Sequence, residues 1–477
     1  MKFIEHITFK TILAVLLLIY GANSSALSQN MSSEESSEIN IEKKRFERRA
    51  FESAIWGQPL VAGNQMIEGA IEARQKLNQV AYFSQPPNWK FQQPTPNNST
   101  LYLQLIYDVK DSPVVIEIPA ETEQFKVFGS LLDVWQRPVV DVGGAGDDKG
   151  KGGKYFLYQA DDESITVPEG YYPVPLRTYR GYGTIRIILP NNAPETLADA
   201  EEYIKTKSAQ YYYNDSERLP HMDIYDMEYA SVFPFDHTFF EKLQKVVNYE
   251  EIRVEDKYAM GMLSSIGIEK GGNFSPSEEQ KVILDNIMSE VHLELQDHIL
   301  NLPPMRWGDH SHWALPVAPS MIATQMTYED ENKIYVDDKA FTFYMYISPP
   351  VKLGKATAYL KLTHDKEGNV LDGKKNYKLT VPPNVPVSQF WSVLAYDLAT
   401  ASYIRNSDRI GLASTEEPQM NADGTCDIYF GPNELNNGVN YIPTEAIEHF
   451  FLLFRFYGPE KAYQDNSWML NDIVEIK

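Results

Sequence analysis

Between Gln389 and Asp397 the chain reads Gln-Phe-Trp-Ser-Val-Leu-Ala-Tyr-Asp. Trp391, Val393 and Ala395 share one parity and Phe390, Ser392, Leu394 and Tyr396 the other, so a strand here is apolar on nearly both faces and must lie centrally in a sheet. The prolines of Val381-Pro-Pro-Asn-Val-Pro386 propagate neither ladder nor helix and mark where that strand begins. Two further aromatic runs follow, Asp427-Ile-Tyr-Phe-Gly-Pro432 and His449-Phe-Phe-Leu-Leu-Phe-Arg-Phe-Tyr-Gly-Pro459, each closed by Gly-Pro. The C-terminal third is expected to be all β.

The chain opens with Lys2 and Lys10, an apolar run from Ile12 to Ile19, and small residues ending at Ala26. This is the pattern of a secretory signal peptide, 1–26, with an h-region too short to span a bilayer, so an exported protein beginning at Leu27 is expected, in the periplasm or outside the cell. No later stretch is long and apolar enough to span a membrane. Cys426 is the single cysteine, which rules out an intrachain disulfide and a cysteine-clustered zinc site. A formal net charge of −23 argues against nucleic acid or an anionic membrane as the main partner and leaves neutral or cationic ones. With 30 Tyr, 22 Phe and 7 Trp, the chain holds enough aromatics for a β-rich core and a stacking platform besides.

Residues 27–40 are Ser/Glu-rich and read as a disordered lead-in. Helical periodicity starts near Ile41, is interrupted at Gly57 and Pro59, and resumes from about Leu60 to Leu77, predicting two helices that cover a sheet. Short β-branched or aromatic runs then follow at 101–107, 113–118, 125–128, 131–135, 155–158 and 184–189, the spacing of a sandwich or jelly roll. Residues 216–305 return to helix: Ser275, Pro276 and Glu278 suggest a capped start before Leu284, Ile287, Met288, Val291 and Leu295. From Trp307 the pattern is β to the end. The expected fold is mainly β with α layers: a helical cover plus first β-sandwich over 41–215, a helical connector over 216–305, and a second β-sandwich or jelly roll over 306–477.

Several constellations invite chemistry. The glycine-rich loop 143–154 lacks the G-x-x-x-x-G-K-[ST] spacing and precedes a strand, so positive-φ turns explain it better than a phosphate cradle; Asp147 and Asp148 are no calcium-loop series. His310 and His312 would share one face of a strand, as metal ligands do, but no third ligand follows, so no metal or other cofactor is assigned. There is no G-x-S-x-G elbow, Cys426 reads as a core thiol, and the carboxylates are too many to single out a glycosidase pair. Arg177, Arg180, Arg186, Arg455, Asp133 and Asp397 lie in or beside apolar strands, where a charge needs a partner; structural ion pairs and a ligand-orienting site are both open.

Two blocks carry a family resemblance. Pro96-Asn-Asn-Ser-Thr-Leu-Tyr102, Pro113-Val-Val-Ile-Glu-Ile-Pro119, Leu132-Asp-Val-Trp-Gln136, Asp141-Val-Gly143 and Asp148-Lys-Gly-Lys-Gly-Gly-Lys154 resemble domain-of-unknown-function family 1254. Leu371-Asp-Gly373, Asn376-Tyr377, Phe390-Trp-Ser392, Tyr396-Asp397, Asn421-Ala-Asp-Gly424, Ile428-Tyr-Phe-Gly-Pro432 and Phe456-Tyr-Gly-Pro459 through Trp468 are similar to family 1214. The resemblance implies tandem β-sandwich or jelly-roll domains in an exported bacterial protein, in some members a homo-oligomer, and brings no activity with it. Where the first family often carries Asn-Asn-Asp-Thr, this chain has Asn97-Asn98-Ser99-Thr100.

Two β domains joined by helices should leave a cleft between them. Asn97, Asn98 and Tyr102 from the first and Tyr396, Asp397 and Arg455 from the second are the residues expected to face a small-molecule or polymeric ligand, neutral or glycan-like, with Arg455 paired to Asp397 as a charge-compensated donor fork. In the alternative, Asn97 and Asn98 shape a turn while Arg455 and Asp397 tie strands together. A hydrolase or lyase with a carboxylate or His site, and a structural homo-oligomer, are the other functional classes compatible with the residues.

Overall fold

The computed structural model describes residues 40–215, 217–301, 305–346 and 357–477. The expected signal peptide and nearly all of the lead-in lie outside them. The chain divides into two compact units, one ending at Arg48 and the other running from Arg49 to Lys477. Of the first, the described residues are Asn40 and the start of the helix Ile41–Glu72. The fold of the second is mixed α/β and rich in strands, arranged in several open sheets.

Leu101–Asp108, Arg180–Ile188 and Lys126–Asp133 form the antiparallel centre of a six-stranded sheet. Leu101, Leu103, Leu105 and Tyr107 point to one side with Ile185, Ile187, Val127 and Leu131, sharing a core with Val114, Ile116, Leu157 and Val174 of a four-stranded sheet. The runs expected at 125–128 and 131–135 belong to one strand. Gly129, between them, lets the strand continue against its neighbour, since a Cβ there would lie 2.3 Å from the Thr184 carbonyl oxygen.

The C-terminal region repeats the scheme. Trp391–Asp397 is central, as its two apolar parities require, between Phe450–Tyr457 and Gly411–Ala413, with Thr357–Leu362 outside Phe450–Tyr457. Trp391, Val393, Ala395, Phe450, Leu452, Phe454 and Phe456 share a core with Leu379, Ile428 and Phe430 of a second four-stranded sheet. By the period of two, Tyr396, Leu453, Arg455 and Tyr457 look the other way, toward the N-terminal region.

Three readings change. The expected helix break at Gly57 and Pro59 does not occur: one helix runs Ile41–Glu72, and from Ala50 to Ala70 it is buried on nearly all sides, so tertiary packing outweighs the amide that Pro59 lacks. The long helix Glu278–Asn301 is capped by Ser277 and Gln280: the Gln280 amide donates to Ser277 Oγ at 3.2 Å and the Ser277 amide to Gln280 Oε1 at 2.9 Å. The same S-x-x-[E/Q] pattern thus acts two residues later than Ser275–Glu278. Residues 306–346, expected to be β, hold the helices Pro319–Ala323 and Val336–Met345.

Lys361, on the outer strand, is 1% exposed and donates to the Ile299 carbonyl, and burial pushes its ammonium down to about 7. The unfolded chain therefore holds one more proton than the folded one between pH 7 and about 10.4, so this residue makes stability rise with pH across that window. Urea unfolding at pH 7 and pH 9.5 should show that rise in wild type and lose it in Lys361→Met; an unchanged slope in the variant would show that the ammonium is not the source.

Candidate functional site

The outward faces of the two large sheets meet around the segment 92–97. The Thr95 amide donates to the Ala401 carbonyl at 2.7 Å, Thr95 Oγ1 to the Met345 carbonyl at 2.9 Å, and Gln92 Nε2 to the Tyr403 carbonyl at 3.1 Å. This strap leads into the strand that carries Tyr102, and it walls a cavity of about 100 Å³. The N-terminal sheet contributes Tyr102, Ser130, Thr184 and Arg186 to the lining, and the C-terminal region Tyr346, Tyr359 and Arg455.

Register sets both arginines in sheet interiors. Arg186 lies opposite Tyr102 on one neighbour and Phe128 on the other; Arg455 lies opposite Tyr359 and Ser392. Arg455 is 3% exposed, and its Nη2 donates to Tyr396 Oη at 2.7 Å and to the Thr95 and Pro96 carbonyls at 3.3 Å each. Arg186 Nε donates to Tyr102 Oη at 3.3 Å, and its guanidinium lies 5.2 Å from the Phe128 ring. Among the described residues neither arginine is ion-paired with a carboxylate. Arg455 Nη1, Tyr346 Oη and Gln93 Oε1, all on lining residues, have no hydrogen-bond partner there.

Three other arginines, two half-buried and one exposed, are ion-paired. Arg180 pairs with Asp108 at 3.1 Å and Glu68 at 3.3 Å, Arg137 with Asp133 at 2.7 Å, and Arg177 with Glu255. These are the structural ion pairs expected of them.

Tyrosines surround the two free guanidiniums and respond unequally. Burial pushes the Tyr396 phenol up to about 12, although Arg455 opposes it. Burial also acts to raise the Tyr102 phenol, but the Arg186 charge, with hydrogen bonds from Thr100 and Asn97, outweighs it and holds the group below its ordinary value.

Of the six residues expected at a cleft, Asn97, Tyr102 and Arg455 line this cavity. Tyr396 stands behind Arg455, donating from Oη to the Pro96 carbonyl at 2.5 Å. Asn98 is half-buried and outside the lining. The expected Arg455–Asp397 pair does not form. Asp397 ends its strand opposite Phe450 and accepts from the Ala399 amide at 2.9 Å and Thr400 Oγ1 at 3.2 Å, closing a turn. Asn97 also shapes its own turn, accepting from the Ser99 amide at 3.3 Å. Ser130, Thr184, Tyr346 and Tyr359 could not be singled out beforehand. Arg186 could be recognised as a buried charge, but nothing in sequence placed it opposite Arg455.

His310 sits exposed in a short 3-10 turn, while His312 Nδ1 is bonded to Asp472 Oδ2 at 2.9 Å, so the two imidazoles do not converge. Among the described residues no group of three His, Cys, Asp or Glu could hold a metal ion. In the glycine-rich loop, Asp148 accepts from the Gly143 and Gly150 amides at 2.8 and 3.1 Å, filling with its own carboxylate the place a phosphate would take. Cys426 is buried and its thiol is pushed up to about 11 by burial, as befits an inert core thiol.

Fold and site together define a strand-rich mixed α/β protein in which two sheets line a cavity that holds two arginines. Residues 77–210 match the model described as "Protein of unknown function (DUF1254)" and residues 356–461 the one described as "Protein of unknown function (DUF1214)"; the chain carries these two domains in that order. The first contains Arg186 and the second Arg455. The crystal structure of the VPA0106 protein from Vibrio parahaemolyticus is similar in fold, with a TM-score of 0.54 at 20% identity over 91% of this chain and 100% of that one. An uncharacterised protein from Burkholderia cenocepacia aligns at 12% identity over 94% of this chain and 91% of that one, with a TM-score of 0.41. No curated protein matches.

Tyr396 serves both a carbonyl of the strap and the Arg455 guanidinium. Tyr396→Phe should therefore cost about 1–3 kcal/mol in urea unfolding, because the Pro96 carbonyl and Arg455 Nη2 each lose their shortest bond and keep only those at 3.3 Å. A change below about 0.5 kcal/mol would mean that water replaces the hydroxyl.

Proposed function

We propose that this protein binds a small anion, a carboxylate or a phosphate or sulfate group, between Arg186 and Arg455 in the cavity that its two β regions share. The carrying observation is that two guanidiniums line one cavity with no ion-paired carboxylate among the described residues, one of them 3% exposed with an Nη1 that has no hydrogen-bond partner there. Arginine stays charged at any ordinary pH, and a desolvated charge without a counter-charge is costly, so a bound anion supplies what the protein does not. The sites expected from sequence suggested a neutral or glycan-like ligand; the missing Asp397 partner turns the reading to an anion. Two sandwiches meeting at a ligand, in an exported protein that starts at Leu27, complete this reading; N-terminal sequencing of the mature protein tests the last part.

Acetate, phosphate and sulfate, titrated separately, should each be tried in thermal unfolding. The anion that fits should stabilise the fold by mass action, by about 2.7 kcal/mol at a hundredfold excess over its Kd, and so raise the melting temperature; the rise should vanish in Arg186→Met and Arg455→Met. If no anion shifts wild type and Arg186→Met is less stable, the arginines are structural.

Tyr102 adds a pH dependence with a definite sign. Below its pKa the phenol is neutral and the guanidiniums are unopposed; above it the phenolate is itself a competing anion beside Arg186. Affinity should fall as pH rises toward 10, and Tyr102→Phe should flatten the profile. A phenol that ionises more readily than its neighbours also favours a second reading, an enzyme such as a lyase using Tyr102 as a base, in which Tyr102→Phe would still bind the anion but not turn it over.

A further inference from the structure

The cationic cavity is too small for most metabolites. About 100 Å³ is less than the roughly 150 Å³ that holds one benzene ring, so it has room for a head group only. Pro94 of the strap lines it and also lines a second, larger chamber of about 260 Å³. That chamber has the opposite chemistry: Met66, Phe233, Phe235, Phe343 and Tyr344 form its walls, and its one cation, Arg405, is exposed. Phe235 is held by a parallel stack on His292 at 4.1 Å, and Tyr344 Oη by the Leu398 and Ala399 carbonyls at 3.0 Å each, so the walls are fixed. Two side chains that line it, Gln58 and Ser231, are 1% and 3% exposed, and Gln58 Oε1 and Ser231 Oγ have no hydrogen-bond partner among the described residues. An unbonded amide oxygen inside an apolar wall calls for a donor.

We infer that the ligand is amphipathic: its anionic head sits between Arg186 and Arg455, and its apolar body, carrying one hydrogen-bond donor for Gln58, extends past Pro94 into the second chamber. This rests on the anion-binding reading above and adds what that reading leaves open, the body of the molecule. Fixed polar groups that orient a ligand beside an apolar chamber that buries it are the usual division of labour in a small-molecule site.

Isothermal titration calorimetry with acetate, butyrate, hexanoate and 6-hydroxyhexanoate, and in parallel with methyl phosphate and hexyl phosphate, tests this and separates the two head groups. Each added methylene should tighten binding about fourfold, and 6-hydroxyhexanoate should bind at least as tightly as hexanoate despite its polar end. Hexan-1-ol, without the head, should bind at least tenfold more weakly than hexanoate. Ala62 lines the apolar chamber and not the cationic cavity, so Ala62→Leu and Ala62→Trp, which fill that chamber, should reduce hexanoate to the affinity of acetate while leaving acetate unchanged; Ala62→Leu guards against misfolding of the larger variant. Equal affinities along the series, or hexanoate binding indifferent to both variants, would overturn the amphipathic ligand and leave the anion site standing. Binding of no member of either series would overturn both.

Discussion

Arg455 sits at the centre of a sheet, in the longest aromatic run of the chain, with its charge directed away from the core of its own region. Such a charge is tolerable only if something else receives it. What receives it here is the Thr95 and Pro96 carbonyls of the N-terminal region, together with the hydroxyl of Tyr396 on the neighbouring strand, itself tied to Pro96. The bonds that stabilise the guanidinium are therefore the bonds that join the two β regions. Carbonyl and phenol dipoles solvate a cation without neutralising it, so the junction keeps a positive charge in a place that water scarcely reaches.

That charge stands out because the rest of the molecule is so acidic. A net charge of −23 would repel an anion at long range, yet at physiological salt the Debye length is only about 8 Å, and surface carboxylates are screened from a cavity between sheets. Elsewhere half-buried arginines meet carboxylates, as at Arg180 with Asp108 and Arg137 with Asp133, while Arg306 and Lys361 are, like Arg186 and Arg455, left to carbonyls or tyrosine rings. What sets Arg186 and Arg455 apart is that the two line one cavity. Each of the two domains supplies one of these arginines, so neither domain alone contains the pair.

Segment 92–97 deserves the role of organiser on physical grounds. It bonds to the C-terminal region at Gln92 and Thr95, supplies carbonyls to Arg455, and stands between a cationic cavity and an apolar one through Pro94. A proline has no amide to satisfy, so it can border both chambers without leaving a donor unbonded in either.

Much of the architecture was legible in the residues because it rests on local rules. The double apolar parity of 389–397 marked a central strand, the Gly-Pro closures marked strand ends, and a lone cysteine excluded disulfides; each follows from backbone geometry or valence within a few residues. Polar groups in or beside apolar strands are costly wherever they occur, which pointed to Asn97, Asn98, Tyr102, Tyr396, Asp397 and Arg455; of these Asn97, Tyr102 and Arg455 line the cavity. The continuity of the helix through Pro59 was not legible, since burial on all sides outweighs a local breaker only after the fold exists. Nor was the absence of an Arg455–Asp397 pair: register, which sequence does not fix between distant strands, decided that Asp397 lies opposite Phe450 while Arg455 lies opposite Ser392. Sequence by itself determined which side chains would be difficult to bury. Only the tertiary structure decided that two of them, 269 positions apart, would line one cavity, because that depends on which face of each sheet is left over once its core is filled.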